Sequence, residues 1–242
     1  MKSNLPRRTV AEFLGTAFLV AAVVGSGIMA ERLSGGNAAV ALLANTVATG
    51  AALVALILTF GSISGAHLNP VVSLADAIEG GLAWRETLAY ICAQVLGGVA
   101  GTIVAHAMFA LPLVSFSRHA RNGAAQILSE FVATFGLLCI IWGCSRSRPN
   151  AVPFAVGSYI TAAYWFTASR SFANPAVTIA RSLSDTFSGI RSADVLPFVL
   201  AQFAGGLAAT FLFRWFATSI ENRQAEQQVG GEADSALTMT RR

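Results

Sequence analysis

Long apolar runs separated by short polar stretches dominate the hydrophobic pattern of this chain. Each run is close to the length of about 20 apolar residues that crosses a bilayer as a helix. The runs lie near residues 10–30, 38–60, 84–111, 126–145, 151–168 and 194–217. They do not show the alternation of apolar and polar residues that marks the strands of an outer-membrane barrel. The pattern therefore predicts six transmembrane helices.

Composition supports this interpretation. Of the 242 residues, 55% are hydrophobic and only 12% are charged, which is about half the charge of a soluble domain. Too little polar surface remains for a soluble or disordered protein, and the few charges do not form a nucleic-acid-binding surface. The first apolar run continues to about Ala30, too far for the apolar part of a cleaved signal peptide. We expect the lipid bilayer as the surrounding medium and no nucleic-acid partner.

The basic residues predict the orientation, because cytoplasmic loops carry an excess of them. If the N-terminus is cytoplasmic, ten of the 16 basic residues lie inside and six outside. The ten are Lys2, Arg7, Arg8, Arg85, Arg146, Arg148, Arg214, Arg223, Arg241 and Arg242, and the six are Arg32, Arg118, Arg121, Arg170, Arg181 and Arg191. We expect a multi-pass protein of the inner (plasma) membrane with both termini in the cytoplasm. Residues 219–242 are polar and are expected to form a disordered cytoplasmic tail.

Three sequence blocks occur twice in the same order, at offsets of 118, 105 and 108 residues. The pairs are 11–16 with 129–134, 69–75 with 174–180, and 93–98 with 201–206. Three collinear pairs indicate an internal duplication, with repeat one at about 9–111 and repeat two at about 126–217. Each repeat holds three spans, an odd number, so the second copy enters the membrane from the opposite side. Such inverted repeats place a functional site near the midplane.

An Asn-Pro pair in each repeat predicts the start of a helix. Asn is a favoured N-cap, because its side-chain oxygen accepts hydrogen bonds from the first-turn N–H groups, and Pro suits the first helical position. The pairs are Asn69–Pro70 and Asn174–Pro175, and the apolar stretches after them, 71–78 and 177–183, are too short to span. We expect two half-helices that dip into the membrane, with irregular backbone before them that is buried or lines a water-filled cavity.

These motifs resemble the aquaporin, or major intrinsic protein, family over about residues 10–217. The resemblance is carried by the Glu-Phe helix starts at Glu12 and Glu130, by Ser-Gly-Ala-His-Leu-Asn-Pro at 64–70 and by Phe-Ala-Asn-Pro-Ala at 172–176. It implies an all-α membrane protein, with six transmembrane helices and two re-entrant half-helices in an inverted three-helix repeat around one pore. It also implies a single channel domain over residues 1–218, a homotetramer, no cofactor and no catalysis.

The resemblance and the residue chemistry together assign roles near the midplane. The two half-helix N-termini each bring roughly half a positive charge, which disfavours cations. Capping occupies each Asn oxygen, so we expect the NH₂ groups to donate into the pore. The resemblance implies that buried glutamates accept hydrogen bonds from the re-entrant loops and that His67 supports the first loop, with gating by its protonation as the alternative. The pore motifs are Asn69, Pro70 and Val71 and Asn174, Pro175 and Ala176, and the loop supports are Glu12, Glu130 and His67.

The expected selectivity filter departs from the family pattern. Arginine usually follows the second Asn-Pro-Ala, and Val177 stands there in this chain. Counting along the second helix gives Thr49 as a filter residue, and the second loop contributes Ser171. In the fifth helix we expect Tyr164, with Trp165 or Ala162 as the alternatives. The filter should therefore be wider and less charged than a strict water filter.

Two arginines lie close to the expected filter residues in the sequence. Arg181 follows Val177 by four residues, which we take as one helical turn deeper and too far to replace the usual filter arginine. Arg170 is a candidate charge at the outer mouth, with a solvated vestibule side chain as the alternative. Thr178 stands where glycerol facilitators usually carry Asp. The pattern resembles a bacterial aquaglyceroporin branch associated with arsenic resistance.

The sequence thus predicts a passive channel for small uncharged polar solutes. Glycerol-like polyols, metalloid hydroxides such as arsenite, and water are the expected solutes. The alternatives are a water-selective aquaporin, a channel that also passes small organic or methylated oxyacids, and, from a different class, an ion-coupled secondary transporter. The transporter would need charged or ion-coordinating groups at the broken helices, where the sequence has Asn, Ser and Thr.

Overall fold

The structure is a computed structural model that describes the backbone of residues 4–240 and the side chains of residues 4–217. Within this part the elements are helical, and the predicted all-α membrane fold is confirmed. The helices are α1 (Leu5–Leu33), α2 (Ala38–Ser64), α3 (Pro70–Ile78), α4 (Trp84–Met108), α5 (Ala124–Ser147), α6 (Val152–Phe166), α7 (Pro175–Arg181) and α8 (Ser192–Thr240). The tail prediction for residues 219–242 concerns residues whose side chains lie outside the described part, and it stays a prediction.

Five helices of the described part are long and apolar enough to cross a membrane, namely α1, α2, α4, α5 and the segment Ser192–Ala217 of α8. The predicted fifth span, residues 151–168, corresponds to α6, which has 15 residues. A single 3₁₀ turn, Pro149–Ala151, precedes it. At 1.5 Å per α-helical and about 2 Å per 3₁₀ residue, the two together reach about 28 Å, close to the hydrocarbon thickness. The fifth crossing is therefore a short helix extended by a tight turn.

Glycines let equivalent helix pairs of the two repeats approach closely. A Cβ atom on Gly97 of α4 would lie 2.3 Å from the carbonyl oxygen of Phe13 in α1. A Cβ atom on Gly205 of α8 would lie 2.3 Å from the carbonyl oxygen of Phe131 in α5. Small residues at such crossings allow the backbone contact on which helix association in lipid depends. The duplication therefore repeats the packing as well as the sequence.

Contacts at the helix ends show which ends share one side of the membrane. Arg8 of α1 donates to the carboxylate of Glu86 in α4 at 3.0 Å. Arg146 near the end of α5 donates to the carboxylate of Glu79, the residue after α3, at 3.4 Å. We call the side on which α1 begins the N-terminal side. On the opposite side, the far side, Arg32 near the end of α1 donates to the carbonyl oxygen of Phe109 after α4 at 3.2 Å.

Candidate functional site

A cavity of about 240 Å³ lies between the two half-helices and the helices around them. Its wall includes residues of α1, α2, α5 and α6 as well as both loops that precede the half-helices. All four predicted filter residues, both half-helix asparagines and one predicted loop support belong to this wall. These are Thr49, Tyr164, Ser171, Val177, Asn69, Asn174 and His67.

Asparagine caps start both half-helices at the centre of the molecule. The Asn69 side-chain oxygen accepts from the backbone N–H of Val71 at 3.0 Å. The Asn174 side-chain oxygen accepts from Ala176 N–H at 3.0 Å and from Val177 N–H at 3.3 Å. Proline occupies the first helical position in both cases, where its missing N–H has no helical partner to lose. The half-helix N-termini therefore lie where the sequence predicts them.

The two asparagine side chains also cross from one repeat to the other. Asn69 Nδ2 donates to the carbonyl oxygen of Ala173 at 2.8 Å, and Asn174 Nδ2 donates to the carbonyl oxygen of Leu68 at 2.7 Å. An amide NH₂ has two hydrogens, so each cross-repeat bond uses one of them and leaves the other. Donation by the NH₂ groups into the pore stays a prediction. Fixing one hydrogen also fixes the direction of the other.

Glu12 supports the first loop through both carboxylate oxygens. One oxygen accepts from Ser64 Oγ at 2.6 Å and from His67 N–H at 3.0 Å. The other accepts from Leu68 N–H at 2.7 Å and from the Gln94 amide at 2.8 Å. Because the side chain is fully buried, these donors satisfy a charge that would be costly inside the membrane.

Glu130 does the same for the second loop. Its oxygens accept from Phe172 N–H at 2.9 Å, from Ala173 N–H at 2.9 Å and from the Gln202 amide at 2.6 Å. Gln202 also donates to Thr178 Oγ1 at 2.8 Å, which ties the glutamate to the half-helix α7. This role of the glutamine was not predicted, although its recurrence in the repeated 201–206 block was the available signal.

The loops that the glutamates hold contain residues in the left-handed region of backbone conformation. In the first loop, Ala66 has φ +48° and Leu68 has φ +49°. In the second, Ser171 has φ +45° and Ala173 has φ +47°. Non-glycine residues adopt this conformation at an energetic cost, so the surroundings must enforce it. The carboxylates of the buried glutamates bind N–H groups in both of these segments.

Hydroxyl groups and one apolar side chain form the wall at the predicted filter. Tyr164 Oη donates to Thr49 Oγ1 at 3.4 Å, so α6 and α2 meet there. Val177 is 5% exposed and lies on the same wall. Trp165 is 48% exposed, and the other fifth-helix alternative, Ala162, is also exposed. Of these three fifth-helix residues, Tyr164 is the one on the wall, while the filter roles themselves stay predictions.

His67 lies on the wall beside the half-helix α3. Its Nδ1 is 3.1 Å from Ser73 Oγ, and its Nε2 is 3.6 Å from a carboxylate oxygen of Asp76. Its ring centre lies 5.4 Å from that of Tyr90. These contacts fix the imidazole on the N-terminal side of the asparagine pair, consistent with the predicted loop support.

Arg181 occupies a different place from the one predicted for it, whereas the outer-mouth charge of Arg170 stays a prediction. Helix α7 begins at the centre and runs toward the far side, so Arg181 lies closer to the far-side surface than Val177, and the prediction of a deeper position is wrong. Its side chain is buried and belongs to the cavity wall. Arg170 is half-buried with its guanidinium carbon 4.6 Å from the ring centre of Phe187, and it is not part of that wall.

A third arginine lies behind these two, and the sequence analysis did not single it out. Arg121, in the loop between α4 and α5, donates to the carbonyl oxygens of Gly189 at 2.7 Å and Ser169 at 3.3 Å. Burial, followed by the charges of Arg181 and Arg170, lowers the pKa of Arg121 to about 9. No motif or repeat marks this residue in the sequence. The three arginines give this end of the site a positive charge.

Six membrane crossings, two half-helices and a central asparagine pair define a membrane channel of the aquaporin type. The sequence profile described as Major intrinsic protein matches residues 1–171. The chain belongs to the major intrinsic protein family and is a multi-pass membrane protein.

Similar proteins carry related names. The chain is 57% identical over 212 residues to Aquaglyceroporin AqpS of Rhizobium meliloti (strain 1021), covering 88% of this chain and 91% of that protein. It is 31% identical over 215 residues to Aquaporin NIP1-4 of Oryza sativa subsp. japonica, covering 84% and 74%. The X-ray structure of the aquaglyceroporin from Plasmodium falciparum superimposes with a TM-score of 0.68 at 22% identity, covering 88% of this chain and 95% of that one. This last likeness supports the fold.

Proposed function

We propose that the protein is a passive channel for small uncharged polar solutes, with Thr49, Tyr164 and Val177 as its filter. The observation that carries the proposal is the cavity wall, which two hydroxyl groups and an apolar side chain line together, with Val177 in the position of the usual arginine. Hydroxyl groups exchange hydrogen bonds with a polyol, and valine leaves space for its carbon chain. The name of the 57% identical relative, an aquaglyceroporin, supports the same solute class.

Glycerol-like polyols and metalloid hydroxides are the proposed solutes, with water as a co-permeant. Arsenous acid is neutral at pH 7 and roughly the size of glycerol, so a wide and weakly charged filter suits both. The amide hydrogens of Asn69 and Asn174 that are left free by the cross-repeat bonds would orient a solute oxygen at the midplane. The positive ends of the two half-helices disfavour cations at that point.

The proposed setting is the inner membrane, with the N-terminal side in the cytoplasm and four copies of the chain forming a homotetramer. The outer surfaces of the helices carry large exposed apolar side chains that suit lipid or another subunit, including Phe18, Leu88, Leu128 and Phe211. The excess of basic residues on the N-terminal side supports the orientation.

Replacing Val177 with arginine tests the filter. The guanidinium would narrow the cavity that Thr49 and Tyr164 also line, so we expect glycerol flux to fall about tenfold and water flux to fall much less. The measurement is the light scattering of proteoliposomes after osmotic steps with glycerol or with an impermeant solute.

Val177→Met serves as the matched control, because it adds length without charge and is expected to have the smaller effect on glycerol. Equal losses of water and glycerol flux in Val177→Arg would contradict the proposed filter. Wild-type glycerol flux that changes with an imposed sodium or proton gradient would instead support the coupled-transporter alternative.

A further inference from the structure

Two buried polar atoms on the far-side part of the cavity wall lack a hydrogen-bond partner within the described residues. They are Ser171 Oγ and Arg181 Nη1. Ser171 is 2% exposed and Arg181 is 1% exposed, so bulk water does not solvate either side chain. Unpartnered polar atoms in a buried position cost free energy, and both of these belong to the wall of one cavity. Both atoms have almost no accessible surface, so a small rotation of each side chain would bring them to a ligand in the cavity.

The charge balance shows what kind of ligand suits this position. Arg181 donates through Nε to the carbonyl oxygen of Ser188, and its guanidinium carbon lies 3.4 Å from the ring centre of Phe172. Among the side chains described, 4–217, none forms an ion pair with Arg181. The charge of Glu130 acts on both Arg181 and Arg121, so one negative charge faces two buried positive charges. An excess of buried positive charge is unfavourable, and the missing component is a second negative charge.

The surroundings add to this positive charge. The guanidinium carbon of Arg121 lies 5.0 Å from the same Phe172 ring, and within the described side chains this arginine also has no ion-pair partner. The nearby acids are already engaged, because Asp194 accepts from Arg191 at 2.9 Å and from the backbone N–H of Arg121 at 2.8 Å. The carboxylate of Glu130 is engaged by the second loop, as described above. Two buried cations thus share one aromatic ring.

We infer that Arg181 and Ser171 form a binding site for a small, singly charged oxyanion in the far-side half of the pathway. Guanidinium N–H groups form charge-assisted hydrogen bonds with such oxygens, and the serine hydroxyl supplies another donor. Farther toward the centre, the asparagine amides lie at the positive ends of the half-helices, which also favour a negative oxygen. The inference rests on the proposed function, because it places the site in the same pathway.

Methanesulfonate is the probe, because it carries one negative charge at pH 7 and does not cross lipid as a neutral acid. Its binding to the purified full-length protein in detergent is measured at equilibrium with the ¹⁴C-labelled compound. In a second assay it is added to proteoliposomes, where we expect it to slow glycerol flux. The Arg181→Gln variant is expected to raise both the Kd and the half-inhibitory concentration by about tenfold or more.

Two further variants keep the test decisive. Arg118→Gln removes the same charge from the same side of the membrane, at a side chain that is 92% exposed, and should leave the Kd within about twofold of wild type. Ser171→Ala removes one hydroxyl and should raise the Kd about threefold, which gives a result even if Arg181→Gln does not fold. Folding of each variant is checked by its elution profile and melting temperature.

Absence of methanesulfonate binding to the wild type would overturn the inference, as would an equal loss of affinity in Arg181→Gln and Arg118→Gln. A wild type that binds methanesulfonate but shows no glycerol flux above protein-free liposomes would refute the proposed function and leave the anion site standing. A wild type that conducts glycerol but does not bind methanesulfonate would refute the anion site and leave the proposed function standing.

Discussion

Alanine at Glu130 is expected to abolish solute flux and to lower the melting temperature of the protein in detergent. The substitution removes the acceptor of three buried donors, the N–H groups of Phe172 and Ala173 and the amide of Gln202. Each unsatisfied donor costs about 1–3 kcal/mol, and the left-handed residues of the loop lose the group that enforces them. Glycerol flux in proteoliposomes and thermal unfolding in detergent measure the two effects.

Glu86→Ala is the control for this prediction. Glu86 pairs with Arg8 at the N-terminal side and is partly exposed, so its loss should cost at most about 1 kcal/mol and leave flux unchanged. Glu12→Ala should match Glu130→Ala, because the first loop depends on it in the same way. Normal flux and an unchanged melting temperature in Glu130→Ala would show that the loop holds its conformation without the carboxylate.

Alanine at Gly97 or Gly205 is expected to destabilise the helix pairs α1–α4 and α5–α8. The added Cβ would lie 2.3 Å from the carbonyl oxygen of Phe13 or of Phe131, and neither backbone can move without separating its helix from its partner. Overpacking of this kind typically costs about 1–3 kcal/mol. We expect a lower melting temperature for each variant, measured by fluorescence-detected chromatography of heated samples.

Gly61→Ala is the matched control, since this glycine also lies inside a helix and an added Cβ meets nothing within 4 Å. Its melting temperature should stay the same or rise slightly, because alanine is the better helix former. If Gly97→Ala and Gly61→Ala have the same melting temperature, the close crossings do not contribute to stability.

Most of the fold could be predicted because the signals that define it are local in the sequence. The Asn-Pro pairs predict half-helices over 71–78 and 177–183, and the structure has Pro70–Ile78 and Pro175–Arg181. Hydropathy finds only the apolar part of a helix. The apolar run predicted the start of α1 near residue 10, but the helix begins at Leu5, because its first turns carry basic side chains that hydropathy does not count.

The site was predicted less completely, because its remaining features depend on direction and on contacts between repeats. Helical spacing places Arg181 one turn from Val177, but whether that turn leads inward or outward depends on which way the half-helix runs from the centre. The bonds from Asn69 to Ala173 and from Asn174 to Leu68 join residues 104 and 106 positions apart. Local sequence patterns do not show which distant residues form such hydrogen bonds.

The reciprocal asparagine bonds also bear on mechanism. Carriers built from inverted repeats work by rocking one repeat against the other about a midplane site. In this protein each repeat donates a hydrogen bond to the loop of the other at that same point. A rocking motion would have to break both bonds inside the membrane, where no other partner replaces them. These bonds therefore hold the two repeats together at the centre, so the centre does not serve as a hinge between them. This arrangement suits a channel, in which the bonds stay intact, rather than a carrier.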